Sequence, residues 1–249
     1  MKVKYLLPLP LILTALSTTY GSHICYIAGK KHHCNDYYLA GKTTFKNGVK
    51  LPLYSLYYVS QPDSISYQPK TPLKRSDLYS NFAMPKNMAN KFVMFRDDTG
   101  LELIPKDFMP LGRMVLKGMM EISYIEKDGK GEIDINSSYS PLDQICSEAA
   151  WFPTPENVRE CNKYGNIKDF NDYEKPKHID YYNRNKKVAI YTHNKIRPLY
   201  IKPYPPSQFK EVTIILGGVI LGGPKEIDII LPKKDKAIMN TLIKYYTHR

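Results

Sequence analysis

Short strands separated by turn residues dominate the pattern of apolar and polar positions along the chain. The stretch TTFKNGVKL, residues 43–51, places Asn47-Gly48 between β-prone flanks, and this dipeptide is typical of hairpin turns that need positive φ. The tetrapeptide DDTG, residues 97–100, separates the apolar segments KFVMF and LELI in the same way. We therefore predict antiparallel hairpins at both places.

The stretch EIDIN, residues 132–136, alternates strictly between polar and apolar side chains. Ile133 and Ile135 fall on one side of a strand, and Glu132, Asp134 and Asn136 fall on the other. This pattern is typical of an antiparallel strand with one face in the core and the other in water. Further on, VTIIL and EIDIIL flank two Gly-Gly pairs that lack the G-x-G-x-x-G spacing, so we predict turn or close-packing glycines there.

Two short helices are indicated by their capping residues. Ser140 is a suitable N-cap with Pro141 at the first helical position, and Thr154 and Pro155 repeat this arrangement. Gly165 is placed to end the second helix. A third, amphipathic helix is predicted over residues 233–246, where apolar side chains recur at helical spacing along one face.

The chain is therefore predicted to be an α+β protein of mainly antiparallel β-structure. A short disulfide-linked helical hairpin and a C-terminal amphipathic helix accompany the sheet. We expect one mainly-β domain over residues 23–249, with a seam in the proline-containing loop at residues 61–78.

The N-terminus has the layout of a secretory signal peptide, with Lys2 and Lys4 before an apolar segment and small residues after it. The apolar segment is shorter than the roughly 20 residues that span a bilayer. We predict that residues 1–22 are removed and that the protein is exported, to the periplasm or beyond the cell. Removal of both lysines would lower the net charge from +12 to +10.

Four cysteines in an exported chain permit three pairings. Spacing favours the local pairs, Cys25 with Cys34 and Cys146 with Cys161, and crossed pairing is the alternative. The first pair encloses KKHH, in which His32 and His33 would point to opposite faces of a strand. Because paired cysteines do not ligate metals, we predict an exposed basic turn there, with no metal site and no cofactor.

No nucleophile motif, zinc-protease motif or P-loop is present, and we predict no catalytic residue. The alternative is a secreted hydrolase acting on an envelope polymer, for which His178 or His193 would be the general base. Nucleic acid is not expected as a partner, because the chain has no recognition module and its basic residues are dispersed.

Tyrosine is abundant, with 21 residues, and several tyrosines lie beside basic side chains. Tyrosine is enriched in binding surfaces because it buries a large area at low entropic cost. The sequence thus favours an exported, non-catalytic binding protein, of the kind that includes periplasmic immunity and inhibitor proteins. Its expected partner is a protein with an acidic surface, and an anionic lipid or polymer is the alternative. The candidate surface comprises Lys30, Lys31, His32, His33, Tyr37, Tyr38, Tyr181, Tyr182 and Arg184.

Overall fold

A computed structural model describes residues 22–56, 73–97, 100–116, 119–138, 141–165, 176, 178–196, 206–220 and 223–248. Residues 1–21 of the predicted signal peptide and residues 61–72 of the predicted seam lie outside these ranges. Within them, no helix combines the length and the apolar character needed to cross a membrane.

The described residues form fourteen strands and four α-helices. The strands are β1 (Ser22–Ile27), β2 (Lys30–Asn35), β3 (Tyr37–Phe45), β4 (Lys50–Leu56), β5 (Tyr79–Ser80), β6 (Phe92–Asp97), β7 (Gly100–Pro105), β8 (Phe108–Leu116), β9 (Met119–Glu126), β10 (Glu132–Ser138), β11 (Tyr181–Asn183), β12 (Val188–Thr192), β13 (Phe209–Ile220) and β14 (Gly223–Pro232). The helices are α1 (Arg75–Leu78), α2 (Pro141–Trp151), α3 (Pro155–Tyr164) and α4 (Lys236–Thr247).

Two sheets organise these strands. The larger has the order β1-β2-β8-β9-β10-β14-β13-β12-β11, and all its pairings are antiparallel. The smaller has the order β5-β3-β4-β6-β7, with parallel pairing of β3 with β5 and of β4 with β6. The expected sheet-rich, mostly antiparallel fold is therefore confirmed.

The two sheets and α4 share the largest hydrophobic cluster. Ile133, Ile135 and Ile227 contribute to it from the nine-stranded sheet, and Leu53 and Met94 contribute from the five-stranded sheet. The apolar face of α4 completes the cluster, and its two tyrosine hydroxyls donate to backbone carbonyls of β7. Burial of this face explains the amphipathic sequence pattern of α4.

The predicted hairpins at residues 43–51 and 97–100 are formed by β3 with β4 and by β6 with β7. In the first, Gly48 has a φ of +81°, which a residue with a Cβ rarely adopts. The Asn47 side chain donates to the carbonyl of Met84, 2.7 Å away, so the turn is also tied to the chain beyond β5.

The structure has two disulfides, Cys25–Cys34 and Cys146–Cys161, which are the local pairs that the spacing favours. The second joins α2 to α3, and both of its cysteines are fully buried. The hydroxyl of Thr154 caps α3 by accepting from the Asn157 amide at 3.0 Å. Short helices bury little area by themselves, so the covalent link stabilises their pairing.

One local prediction is wrong. The sequence KKHH is not an exposed turn but the first part of β2. The turn lies just before it, at Ala28-Gly29, where φ is +48° and +76°. Positive φ at both central positions matches the twist of the flanking strands. His32 is half-buried in β2, and His33 pairs with Ile24 through the backbone.

Candidate functional site: an aromatic groove and a buried polar cluster

The structure distributes the candidate binding residues over three places. Lys30, Lys31, His32 and His33 lie in β2, near one end of the nine-stranded sheet order, whereas Tyr181 and Tyr182 lie in β11 at the other end. Tyr37 and Tyr38 begin β3 in the five-stranded sheet, and Arg184 follows β11. These places have different surroundings and are described separately.

The β11 residues contact the link between α2 and α3. The Tyr182 hydroxyl donates to the carbonyl of Trp151 at 2.7 Å, and its ring stacks on Phe152 with centroids 5.9 Å apart. The Arg184 guanidinium donates to the carbonyl of Pro153. These contacts hold the disulfide-linked helices against the sheet edge, which gives both side chains a structural role.

Tyr37 instead lines an open groove on the five-stranded sheet. Its ring makes edge-to-face contacts with Tyr54 and Phe95, each with centroids 5.4 Å apart, and 40 % of the residue remains exposed. Burial of the other part, together with Tyr54, raises the pKa of the Tyr37 hydroxyl. The groove has a volume of about 410 Å³, and its ring-bearing lining residues are Tyr37, Pro52, Tyr54, Phe92, Phe95 and Phe108.

Strand pairing explains why these rings meet. Tyr54 in β4 lies directly opposite Phe95 in β6, so both side chains point to the same side of the sheet. Their ring centroids are 5.6 Å apart. Because β4 and β6 are parallel, a long crossover connection separates them in the sequence. No local sequence pattern therefore predicts this contact.

Two exposed lysines border the aromatic groove. Lys50 begins β4, and Lys106 lies in the turn between β7 and β8. A second cavity of about 410 Å³ shares Lys106 and Phe108 with the groove and extends to Glu126 and Asp235. Burial and the neighbouring Asp128 raise the pKa of Glu126 to about 7, so this cavity gains negative charge around neutral pH.

The second candidate region is on the nine-stranded sheet, on the face opposite the main core. Asp134 pairs with Ser123 on one side and with Asp228 on the other, and Asp228 pairs with Thr213. Glu132, Glu211 and His193 lie at the next positions on this side of their strands. We call these seven residues the polar cluster.

The prediction that Glu132 and Asp134 face water is wrong. Their exposures are 0 % and 2 %, because other parts of the chain cover this side of the sheet. Helix α2 packs against β10, β13 and β14, with Trp151 and Phe152 against Ile215. The Cys25–Cys34 hairpin belongs to an apolar group that includes Ile125 and Ile230 on the same face.

His193 follows β12 and contacts two members of the polar cluster. Its Nε2 lies 2.7 Å from the Thr213 hydroxyl and 3.6 Å from Oε1 of Glu211. The Thr213 hydroxyl donates to Oδ1 of Asp228. Ligand atoms of His193, Glu211 and Asp228 all lie within 4.8 Å of one another, so these are the residues of the cluster that could hold a metal ion.

Low dielectric and repulsion by neighbouring acids raise the pKa of two carboxyl groups in this region, Asp134 and Glu121. Burial, and then the neighbouring Glu132, raise the pKa of Asp134 to about 9. Burial and Asp228 raise the pKa of Glu121, which lies on β9 beside the cluster. Carboxyl groups in such a place retain protons or attract a cation.

Among the described residues, neither histidine of the hydrolase alternative faces a nucleophile as a general base would. The His178 side chain is 81 % exposed and pairs with Asp180 at 3.2 Å. Thr213 is fully buried, and its single proton goes to Asp228, so His193 Nε2 donates to the threonine oxygen. A base would have to accept the threonine proton instead.

Sequence reasoning did not identify Lys50, Lys106, Thr213, Glu211 or Asp228. A signal for the last three was present, since EVTIIL and EIDIIL carry the same polar alternation as EIDIN. Aligning these three strands by their polar positions would have placed the cluster on one face. No protein-family model matches the chain, and no curated protein matches its sequence.

Proposed function

We propose that this is an exported, disulfide-stabilised, non-catalytic binding protein whose aromatic groove receives an apolar or aromatic side chain of an acidic protein partner. A periplasmic immunity or inhibitor protein would act in this way. The observation that carries the proposal is the groove itself, where the partly exposed rings of Tyr37 and Tyr54 pack on the buried ring of Phe95 between Lys50 and Lys106.

Export is supported by the covalent structure. Disulfides persist in oxidising compartments and are rare in reducing ones, and the described cysteines are all paired. The leader-like N-terminal segment agrees with the same compartment.

The chemistry of the groove suits a protein ligand. Packed tyrosine and phenylalanine rings lose little conformational freedom when they bind, and the partly exposed Tyr37 ring can supply both apolar area and a hydroxyl. Lysines at the rim attract carboxylates and raise the association rate, whereas the apolar interior contributes the larger part of the affinity. We therefore expect an aromatic or aliphatic anchor flanked by aspartate or glutamate.

The proposal is tested by affinity capture from envelope extracts, comparing the mature protein with groove variants. A specific partner should be retained by wild type and lost by Tyr37→Ala and by the double variant K50E/K106E. We expect each groove variant to weaken binding of that partner at least tenfold. Association should also slow with added salt, because the rim contribution is electrostatic.

Matched controls use residues of the same type elsewhere. Tyr79 is exposed on β5, and Lys186 and Lys210 are exposed far along the chain, so Tyr79→Ala and K186E/K210E should retain the partner. Retention by all variants alike would refute the groove as the binding site. Sedimentation with anionic vesicles tests the lipid alternative. If the wild type binds vesicles, K50E/K106E does not, and no protein partner is captured, then the partner is an anionic lipid rather than an acidic protein.

A further inference from the structure

We propose that His193, Glu211 and Asp228 form a binding site for one divalent transition-metal cation of the zinc type. The site would lie within the polar cluster, on the covered face of the nine-stranded sheet. It does not depend on the aromatic groove, whose tyrosines Tyr37 and Tyr54 lie on the other sheet.

The sheet fixes the positions of the three side chains. Glu211 and Thr213 lie two residues apart on β13 and so face the same way, and Thr213 pairs with Asp228 on β14. The backbone amide of His193 donates to the carbonyl of Glu211 at 3.1 Å, which places the imidazole beside the Glu211 carboxylate. A rigid backbone therefore presents the three groups together, as a preorganised site requires.

The distances suit a small cation. Tetrahedral zinc with bonds of about 2.1 Å has ligand atoms roughly 3.4 Å apart. The observed Nε2–Oε1 distance between His193 and Glu211 is 3.6 Å, and Asp228 offers an oxygen within 4.8 Å of both. On binding, the cation would replace the proton that His193 Nε2 donates to Thr213, and rotations of the Asp228 and Glu211 side chains would bring their oxygens to ligand distance.

The donor types narrow the choice of metal. An imidazole nitrogen with two carboxylates suits zinc and its neighbours in the first transition row, whereas calcium and magnesium prefer oxygen ligands alone. The cysteines are in disulfides and do not compete as ligands. The Thr213 hydroxyl donates to Asp228 and holds that carboxylate in place, which is the usual role of a group behind a metal ligand.

A second observation is a buried oxygen beside the site that lacks a partner in the described part of the chain. Oδ1 of Asp134 is buried and has no hydrogen-bond partner among the described residues, and Asp134 lies directly opposite Asp228 in the β10–β14 register. The groups acting on the Asp134 carboxyl are Glu132, Ser123 and Glu121, of which two are acids. A bound dication would lower the energy of every carboxylate in this region.

Zinc titration of the chelator-treated mature protein tests the site. Isothermal titration should show one zinc ion per chain, and cobalt should give the visible absorption bands of a tetrahedral site. Glu211→Gln and Asp228→Asn should each weaken zinc binding at least tenfold, while His178→Asn, at an exposed histidine with its own acid partner, should leave it unchanged.

The melting temperature provides a second test, which remains informative even if the Glu211→Gln and Asp228→Asn variants fail to fold. Zinc should raise the melting temperature of wild type and of His178→Asn, and the rise should shrink as the pH falls because protons compete for the ligands. Absence of saturable zinc binding in wild type would overturn the proposal and leave a proton-sharing cluster. Binding that persists in both Glu211→Gln and Asp228→Asn would overturn it as well, since the metal would then lie elsewhere.

Discussion

Lys225 and Glu102 form an ion pair between the two sheets. Lys225 lies on β14 and Glu102 on β7, both are fully buried, and Nζ is 2.5 Å from Oε1. The apolar residues around them belong to the shared core. Replacing lysine by methionine keeps most of the length of the side chain but removes its charge, so Lys225→Met leaves the Glu102 carboxylate in the core without this partner.

The expected loss follows from burial. Removing one partner of a buried ion pair costs about 3–5 kcal/mol, because the remaining charge has lost its water and its counter-ion. The pair of Lys163 and Glu160 on α3 has the same 2.5 Å separation, but its side chains are 53 % and 33 % exposed. Lys163→Met should therefore cost only about 0–1 kcal/mol. Because both pairs have the same separation, the difference between the two losses of stability measures the effect of burial.

Urea denaturation of the two variants and wild type at pH 7 measures both losses. A third variant, K225M/E102L, removes both charges, and we expect it to recover at least about 2 kcal/mol relative to Lys225→Met. If Lys225→Met is no less stable than Lys163→Met, the assignment of a strong buried pair between the sheets is wrong.

Two further predictions concern the covered face of the nine-stranded sheet. A Cβ on Gly217 would lie 2.7 Å from the Phe152 ring and 2.8 Å from the Glu148 carboxylate, so Gly217→Ala should lower the free energy of unfolding by about 1–3 kcal/mol; an unchanged urea midpoint would contradict this packing. Because burial raises the pKa of Asp134 to about 9, the unfolded chain loses this proton first, and wild-type stability should fall as the pH rises from about 4 towards 9. The Asn side chain of Asp134→Asn does not titrate. In the presence of chelator, the stability of this variant relative to wild type should therefore increase over that pH range, by at most about 1.4 kcal/mol per pH unit. If the difference in stability between the two proteins does not change with pH, Asp134 is already ionised in the folded protein.

The sequence by itself determined the local features of this protein. Asn47-Gly48 predicted the hairpin of β3 and β4 because the backbone conformation of a tight turn depends only on the few residues that form it. Capping residues placed the starts of α2 and α3, and nearby cysteines indicated the two disulfides. Tyr37 was also among the candidate binding residues, as one of several tyrosines beside basic side chains, and the structure places it in the aromatic groove. Each of these inferences depends on groups that are close along the chain.

Only the tertiary structure decided what lies against each face. Alternation in EIDIN showed that Glu132 and Asp134 share one side of a strand, but it carries no information on what covers that side. Helix α2 and the Cys25–Cys34 hairpin supply the cover, and they come from opposite directions along the chain. The parallel pairing of β4 with β6 likewise joins Tyr54 to Phe95 to form the groove. Such contacts depend on how whole apolar faces pack, and that packing is a property of the folded chain rather than of any segment.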